Sequence, residues 1–233
     1  RFFIILLFIE TCQALHHVFI SGRCFHFLTK MNFKEMILAK FPHIIYNRAT
    51  MHIIKKGLYI MSLEAIFQEI ETEHKKLPGK TSFYYKNLVS GKTFGLNASV
   101  PIIAASVIKL PIMAEFFFQA AEGQIDMNTE YAIQADDKLP SCGALNYMHD
   151  GLKVTLKDLC TLMIILSDNT ATNLLIRRLG MAEINQRIQS LGLKSTELTR
   201  LLFDAKAQDK GLENRVSAED MGLLLSLLYD GKL

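Results

Sequence analysis

A lysine stands in a very apolar stretch of the chain, and this constrains both fold and chemistry. Ala104-Ala105-Ser106-Val107-Ile108-Lys109-Leu110-Pro111 opens a run that reads as a helix to about Ala121, hydrophobic almost all round (Val107, Ile108, Leu110, Ile112, Met113, Phe116, Phe117, Phe118). A helix of that kind belongs in a core. Ser106 and Lys109 lie one turn apart, so their side chains share a face. A serine alcohol is a weak nucleophile near neutral pH unless a base is held against it. An amine can be that base where burial lowers its pKa. Taken alone, the pair also fits a plainer reading, a serine N-cap followed by a solvent-directed lysine. Pro111 withholds the amide that would bond the carbonyl of Val107, which predicts a kink or local tightening.

Half of the 233 residues are hydrophobic, enough for one substantial core or two small ones. The net charge of +3 is unevenly spread: residues 1–60 carry eight Lys/Arg against Glu10 and Glu35, whereas 61–233 are net negative. That shift marks a boundary near residue 60. No basic cluster is interleaved with aromatics, so a nucleic-acid partner is not expected. Phe2–Ile9 is an apolar run too short to span a bilayer, though of signal-peptide-core length. Lys55-Lys56-Gly57 is what a purine-rich ribosome-binding site gives when translated. Met61 is therefore expected as the first native residue, with 1–60 translated upstream sequence or a non-native extension. The four cysteines (Cys12, Cys24, Cys142, Cys160) show no spacing of a disulfide framework or zinc site, and no metal or cofactor is expected.

From Met61 the elements can be read in order. Ser62 caps an amphipathic helix (Leu63, Ile66, Phe67, Ile70) that ends near Lys76, ahead of Leu77-Pro78-Gly79. Thr81–Leu88 and Thr93–Leu96 flank a Ser90-Gly91 turn and read as a hairpin. Residues 61–121 thus form a partial α/β part. Residues 122–233 read as an all-helical part, beginning with a surface excursion, Ile125–His149, of no clear period. Thr155-x-x-Asp158 caps a helix with the face Leu156, Leu159, Cys160, Leu162, Met163 and Leu166. Helices Ala171–Leu179 and Ala182–Leu191 stop at Gly180 and Gly192, and Ser217-x-x-Asp220 caps the last one, through Tyr229.

Between the second and third of these helices stands Ser167-Asp168-Asn169, by itself an ordinary capping tripeptide. Ser-x-x-Lys followed by Ser-Asp-Asn is, however, the motif order of class A β-lactamases and penicillin-binding proteins. The surrounding text agrees: His149-Asp150-Gly151-Leu152 precedes the capped helix, and Thr170-Ala171-Thr172-Asn173 follows the tripeptide. Over residues 62–233 the chain resembles a class A β-lactamase-like serine hydrolase. The resemblance implies an α+β, β-lactamase/transpeptidase-like fold, mostly helical here, with the hairpin belonging to an incomplete antiparallel sheet. It implies Ser106 as nucleophile toward a β-lactam or D-Ala-D-Ala-like amide, and Lys109 as the group that accepts or holds its proton. Ser167 would relay a proton to the departing nitrogen, and Asn169 would position the substrate. Asp168 is expected to be structural, bonding the turn. The Ser106 N–H would form half of an oxyanion hole.

Two departures qualify that picture. No Lys-Thr-Gly occurs before the chain ends at Lys232-Leu233, so the strand that carries it, three further strands and the last helix are expected to be missing. On this reading residues 1–233 alone do not turn over substrate and leave a sheet edge unpaired. Class A enzymes also carry a deacylating glutamate two residues beyond an arginine, where Arg200 is here followed by Leu201 and Leu202. Asp204 is the replacement to test first, ahead of Glu197 and Asp209. The aspartate that pairs with that arginine in the family has Asn214 near its place. Slow deacylation is expected, and with it two alternatives: a penicillin-binding sensor, or a D-amino-acid peptidase or esterase. A helical protein with accidental motifs is the third. The expected partner is a small-molecule β-lactam or a peptidoglycan-like substrate, with no stable membrane span and a monomer when complete. The resemblance implies an extracytoplasmic location, whereas translation from Met61 would leave the protein in the cytoplasm.

Overall fold

The computed structural model describes residues 4–11, 63–76 and 79–233, the first of these as backbone only. The expected boundary at residue 60 and the start at Met61 lie outside the described residues. The chain forms two compact units, Ser21–Thr81 and Ser82–Leu233 with the first twenty residues. In the smaller unit, helix α1 (Leu63–His74) ends just ahead of the Leu-Pro-Gly stop.

In the larger unit β1 (Ile4–Thr11), β2 (Lys80–Asn87) and β3 (Thr93–Leu96) form a sheet in that order. β2 and β3 are the expected hairpin, antiparallel, with Phe83 opposite Leu96 and Tyr85 opposite Phe94. Its turn is set by Asn87, whose side-chain oxygen accepts the amides of Val89 and Ser90, both at 2.9 Å. A second pair joins β4 (Ile102–Ile103) to β7 (Arg215–Val216), placing Ile102 opposite Val216. The stretch that leads to Ser106 is thereby anchored to a segment more than a hundred residues later.

Ser106 is not the N-cap of an α-helix. Ala105–Ile108 form one turn of 3-10 helix, and helix α2 (Lys109–Ala121) starts only at the lysine. Pro111 is thus the third residue of α2, where no intrahelical amide bond is required. The expected tightening takes the form of the 3-10 turn before it. Ile108, Ile112 and Phe116 of this stretch are fully buried, but Phe117 is 49 % exposed, so α2 is not buried all round.

Helix α2 packs against α3 (Leu156–Ile165), α4 (Asn169–Leu179) and α5 (Met181–Ser190). Helix α4 is the axis of this group: Asn169 through Ile176 and Leu179 are all buried. On α2 the buried carboxylate of Glu115 is matched by Arg187 of α5 at 2.7 Å and by the Gln119 amide at 2.8 Å. This satisfies a charge that would otherwise be prohibitive in a core. Helix α7 (Ala218–Tyr229) closes the unit, capped by Ser217 as expected.

The excursion 125–149 is more than surface. Ile125, Ile133 and Leu145 are buried in it. It also supplies β5 (Glu130–Ala132), which pairs with β6 (Lys153–Thr155) through Tyr131 opposite Val154. Residues 122–233 thus hold the strands β5, β6 and β7 beside their helices and loops. A short helix, α6 (Ala205–Asp209), also goes beyond the expected elements. The described residues thus hold seven helices, none long and apolar enough to cross a membrane.

The adjacent phenylalanines of α2 give a direct check. Phe116→Ala should destabilise the protein by about 3–5 kcal/mol, and Phe117→Ala by roughly 1 kcal/mol or less, in chemical denaturation. Equal losses would contradict this placement of α2.

Candidate active site

The first turn of α2 and the loop before α4 converge on one amine. Lys109 Nζ lies 2.8 Å from Ser167 Oγ, 2.7 Å from the Ser167 carbonyl, 3.1 Å from Asn169 Oδ1 and 3.3 Å from Ser106 Oγ. Ser167 Oγ in turn donates to Ser106 Oγ at 2.8 Å. Ser106, Lys109, Ser167 and Asn169, four residues singled out in the sequence, therefore share one cluster. Four oxygens surround a group that has three protons when charged. The longest contact, to Ser106, is the one a neutral amine can turn its lone pair toward.

Exposure differs across the cluster as such chemistry requires. Lys109 is 2 % exposed and Asn169 6 %, while Ser106 stands open to solvent. Burial pulls the Lys109 pKa down from 10.5 to about 8, against the opposing influence of the nearby Cys142 and Asp168. About one lysine in ten is then neutral at pH 7. The backbone is bent to the purpose: Ala105 and Ser167 hold φ of +43° and +55°, a region that L-residues rarely adopt.

Asp168 is structural, as expected, and does more than cap. One carboxylate oxygen takes the Ala171 amide at 2.9 Å, the N-cap bond of α4. The other takes the amides of Ala144 and Leu145 at 2.7 and 2.9 Å. The loop wraps so closely that a Cβ on Gly143 would fall 2.3 Å from the Asp168 carboxyl carbon. The Asn169 amide bonds the Cys142 carbonyl at 3.1 Å, so segment 140–145 forms a rim fixed to the Ser-Asp-Asn loop. Nothing in the spacing of Cys142 announced its place beside the lysine.

A second rim comes from loop 200–213. Its Leu202 exchanges bonds with the side chain of Asn173, amide to Oδ1 at 2.8 Å and Nδ2 to carbonyl at 2.9 Å. Asn173 lies one helical turn beyond Asn169, so it carries the loop toward the site. Leu202 holds the position, two residues beyond Arg200, at which the family pattern expects a carboxylate. Asp204 is engaged as the N-cap of α6, accepting the Ala207 amide at 3.0 Å. Arg200 pairs with Glu213 at 2.7 Å, a partner that sequence reading missed.

The fold and this cluster define a β-lactamase/transpeptidase-like protein. Residues 62–233 match the family described as "Beta-lactamase enzyme family", and the chain belongs to it. Similar solved structures include a β-lactamase from Sphaerobacter thermophilus DSM 20745, 36 % identical over 61 % of this chain and 54 % of that one (TM-score 0.57). PBP-A is 32 % identical over 73 % and 63 % (TM-score 0.66), and a leucine-to-glutamate variant of it was solved as an acyl-enzyme complex with penicillin G. An ancestral class A β-lactamase, 21 % identical over 69 % and 62 % (TM-score 0.62), shares the fold. The chain spans 54–63 % of the length of these three structures. No curated protein sequence matches it.

Asp168→Ala would strand three amides and free the rim. It should lower stability by about 3 kcal/mol, measured by denaturant unfolding. A loss below about 1 kcal/mol would mean that the carboxylate does not hold the two loops together.

Proposed function

We propose that this family member is a serine hydrolase acylated at Ser106 by a β-lactam or a D-Ala-D-Ala-like amide, with slow release of the acyl group. The observation that carries this reading is the Lys109 amine set within hydrogen-bond reach of both Ser106 and Ser167. Neutral Lys109 takes the Ser106 proton as the alcohol attacks the substrate carbonyl. The Ser106 N–H, in the first turn of the 3-10 helix, donates to the oxygen that gains charge. As the tetrahedral intermediate collapses, Ser167 gives its proton to the departing nitrogen and is refilled from Lys109. The amine product thus leaves with the Ser167 proton, the proton lost by Ser106 passes through Lys109 to Ser167, and the acyl group stays on Ser106. Asn169 holds Lys109 through Oδ1 and orients the substrate.

Deacylation needs a base for water. Leu202 and the N-capping Asp204 supply none, which favours a long-lived acyl-enzyme over rapid antibiotic hydrolysis. A penicillin-binding sensor and a D-amino-acid peptidase or esterase are the forms of this activity that the loop favours.

Three outcomes are expected of the full-length protein. A fluorescent penicillin labels it, a chromogenic cephalosporin turns over slowly, and Ser106→Ala abolishes the label; labelling of Ser106→Ala would sink the assignment. With neutral Lys109 as base, the acylation rate climbs about tenfold per pH unit below 8 and flattens above 9, the neutral fraction rising with pH. A rate constant independent of pH between 6 and 9 would remove Lys109 from that role. Leu202→Glu should speed loss of the label by at least about tenfold, and no acceleration would show that the loop does not face the acyl group.

A further inference from the structure

Loop 200–213 is held by a neck whose chemistry is uneven. Its charged contact is Arg200 to Glu213, with both side chains largely buried. Arg200 also donates to the carbonyls of Leu212 and Leu201 at 3.0 and 3.2 Å. The next residue, Asn214, is only 4 % exposed and works without charge. Its Oδ1 accepts the amides of Thr199 and Arg200 at 2.8 and 3.0 Å, and its Nδ2 donates to the Arg200 carbonyl at 3.0 Å. Only one orientation of the amide satisfies all three partners. A carboxylate of the same shape could accept the first two bonds but would set an oxygen against the Arg200 carbonyl. It would also crowd a second acid beside Glu213.

The main chain of Asn214 faces the nucleophile. Its carbonyl accepts the Ala104 amide at 2.8 Å, extending the β4–β7 pairing by one residue. The Ala104 carbonyl then takes the Val107 amide at 2.9 Å and starts the 3-10 turn. Between those two bonds lie Ala105, at positive φ, and Ser106. On its other side β7 is bonded to the stem of the loop: Glu197 and Arg215 exchange backbone bonds at 2.9 and 3.0 Å.

We propose that Asn214 is a positioning residue that couples loop 200–213 to the turn bearing Ser106, with Glu213 supplying separately the charge that closes the loop. A shift of Asn214 moves the Ala104 amide and the Thr199–Arg200 amides together. Through Leu202 and Asn173 the same shift reaches the helix that carries Asn169. The kinetic consequence rests on the acylation reading above; the structural coupling does not.

The test compares Asn214→Asp, Asn214→Ser and Glu213→Gln with the wild type in the full-length protein, by hydrogen–deuterium exchange and by acylation with fluorescent penicillin. Asn214→Asp replaces the donor to the Arg200 carbonyl by an oxygen and adds a charge. It should raise exchange of the peptides holding Ala104 and Thr199–Leu202 in parallel and slow acylation about tenfold. Asn214→Ser keeps a donor and an acceptor, should give intermediate values, and carries the test if the aspartate variant does not fold. Glu213→Gln should raise exchange within 200–213 while leaving Ala104 and the acylation rate within about twofold of wild type. Faster exchange confined to the loop in the Asn214 variants, with Ala104 unchanged, would overturn the proposal. If the wild type takes no label, the acylation reading fails, and the parallel or separate exchange of Ala104 and Thr199–Leu202 still decides the coupling.

Discussion

One desolvated amine organises this protein. Lys109 is almost wholly buried at the start of a very apolar helix, and four oxygens from two segments close around it. Burial lowers the pKa, and the partial charges of Ser167 and Asn169 keep the group from being expelled. Holding those oxygens still takes the rest of the unit. The 3-10 turn brings Ser106 to the lysine, the positive φ at Ser167 turns its carbonyl and hydroxyl together, and buried α4 fixes Asn169. The strained torsions are supported by bonds to Asp168 and Asn214 rather than by local preference.

The elements with strong local signals were legible in the sequence. The capping box at Thr155, the N-cap at Ser217, the glycine stops at Gly180 and Gly192, and the Asn87–Thr93 hairpin turn lie within a residue or two of expectation. The Ser106, Lys109, Ser167 and Asn169 cluster was legible because two short motifs occur in order, each on a helix start. What escaped reading depends on distant partners. Three-residue strands such as Glu130–Ala132 are too short to show alternation, and only pairing with Lys153–Thr155 defines them. The five residues of α6 likewise carry no periodicity. Cys142 reaches the lysine only because Asp168 folds its loop back, and Glu213 meets Arg200 only when the loop closes. The division of α2 into a 3-10 turn and a helix was half legible: Pro111 signalled tightening, but not that Lys109 would be the first helical residue.

The loop after the helical region is where this chain differs most from the pattern it otherwise follows. Its neck holds an ion pair at Glu213 and a neutral amide at Asn214, and Leu202 stands two residues beyond Arg200. On the proposed reading of acylation at Ser106, a leucine at 202 gives water no base. Membership of the β-lactamase enzyme family is therefore compatible with a protein that holds its acyl group.

The most direct measurement is an NMR titration of the Lys109 side chain in the folded protein, following its ε-carbon shift with Lys109→Arg as the assignment control. The account predicts a midpoint near pH 8. A midpoint at or above the ordinary lysine value of about 10.4 would show a permanently charged ammonium. The serine would then have no base beside it.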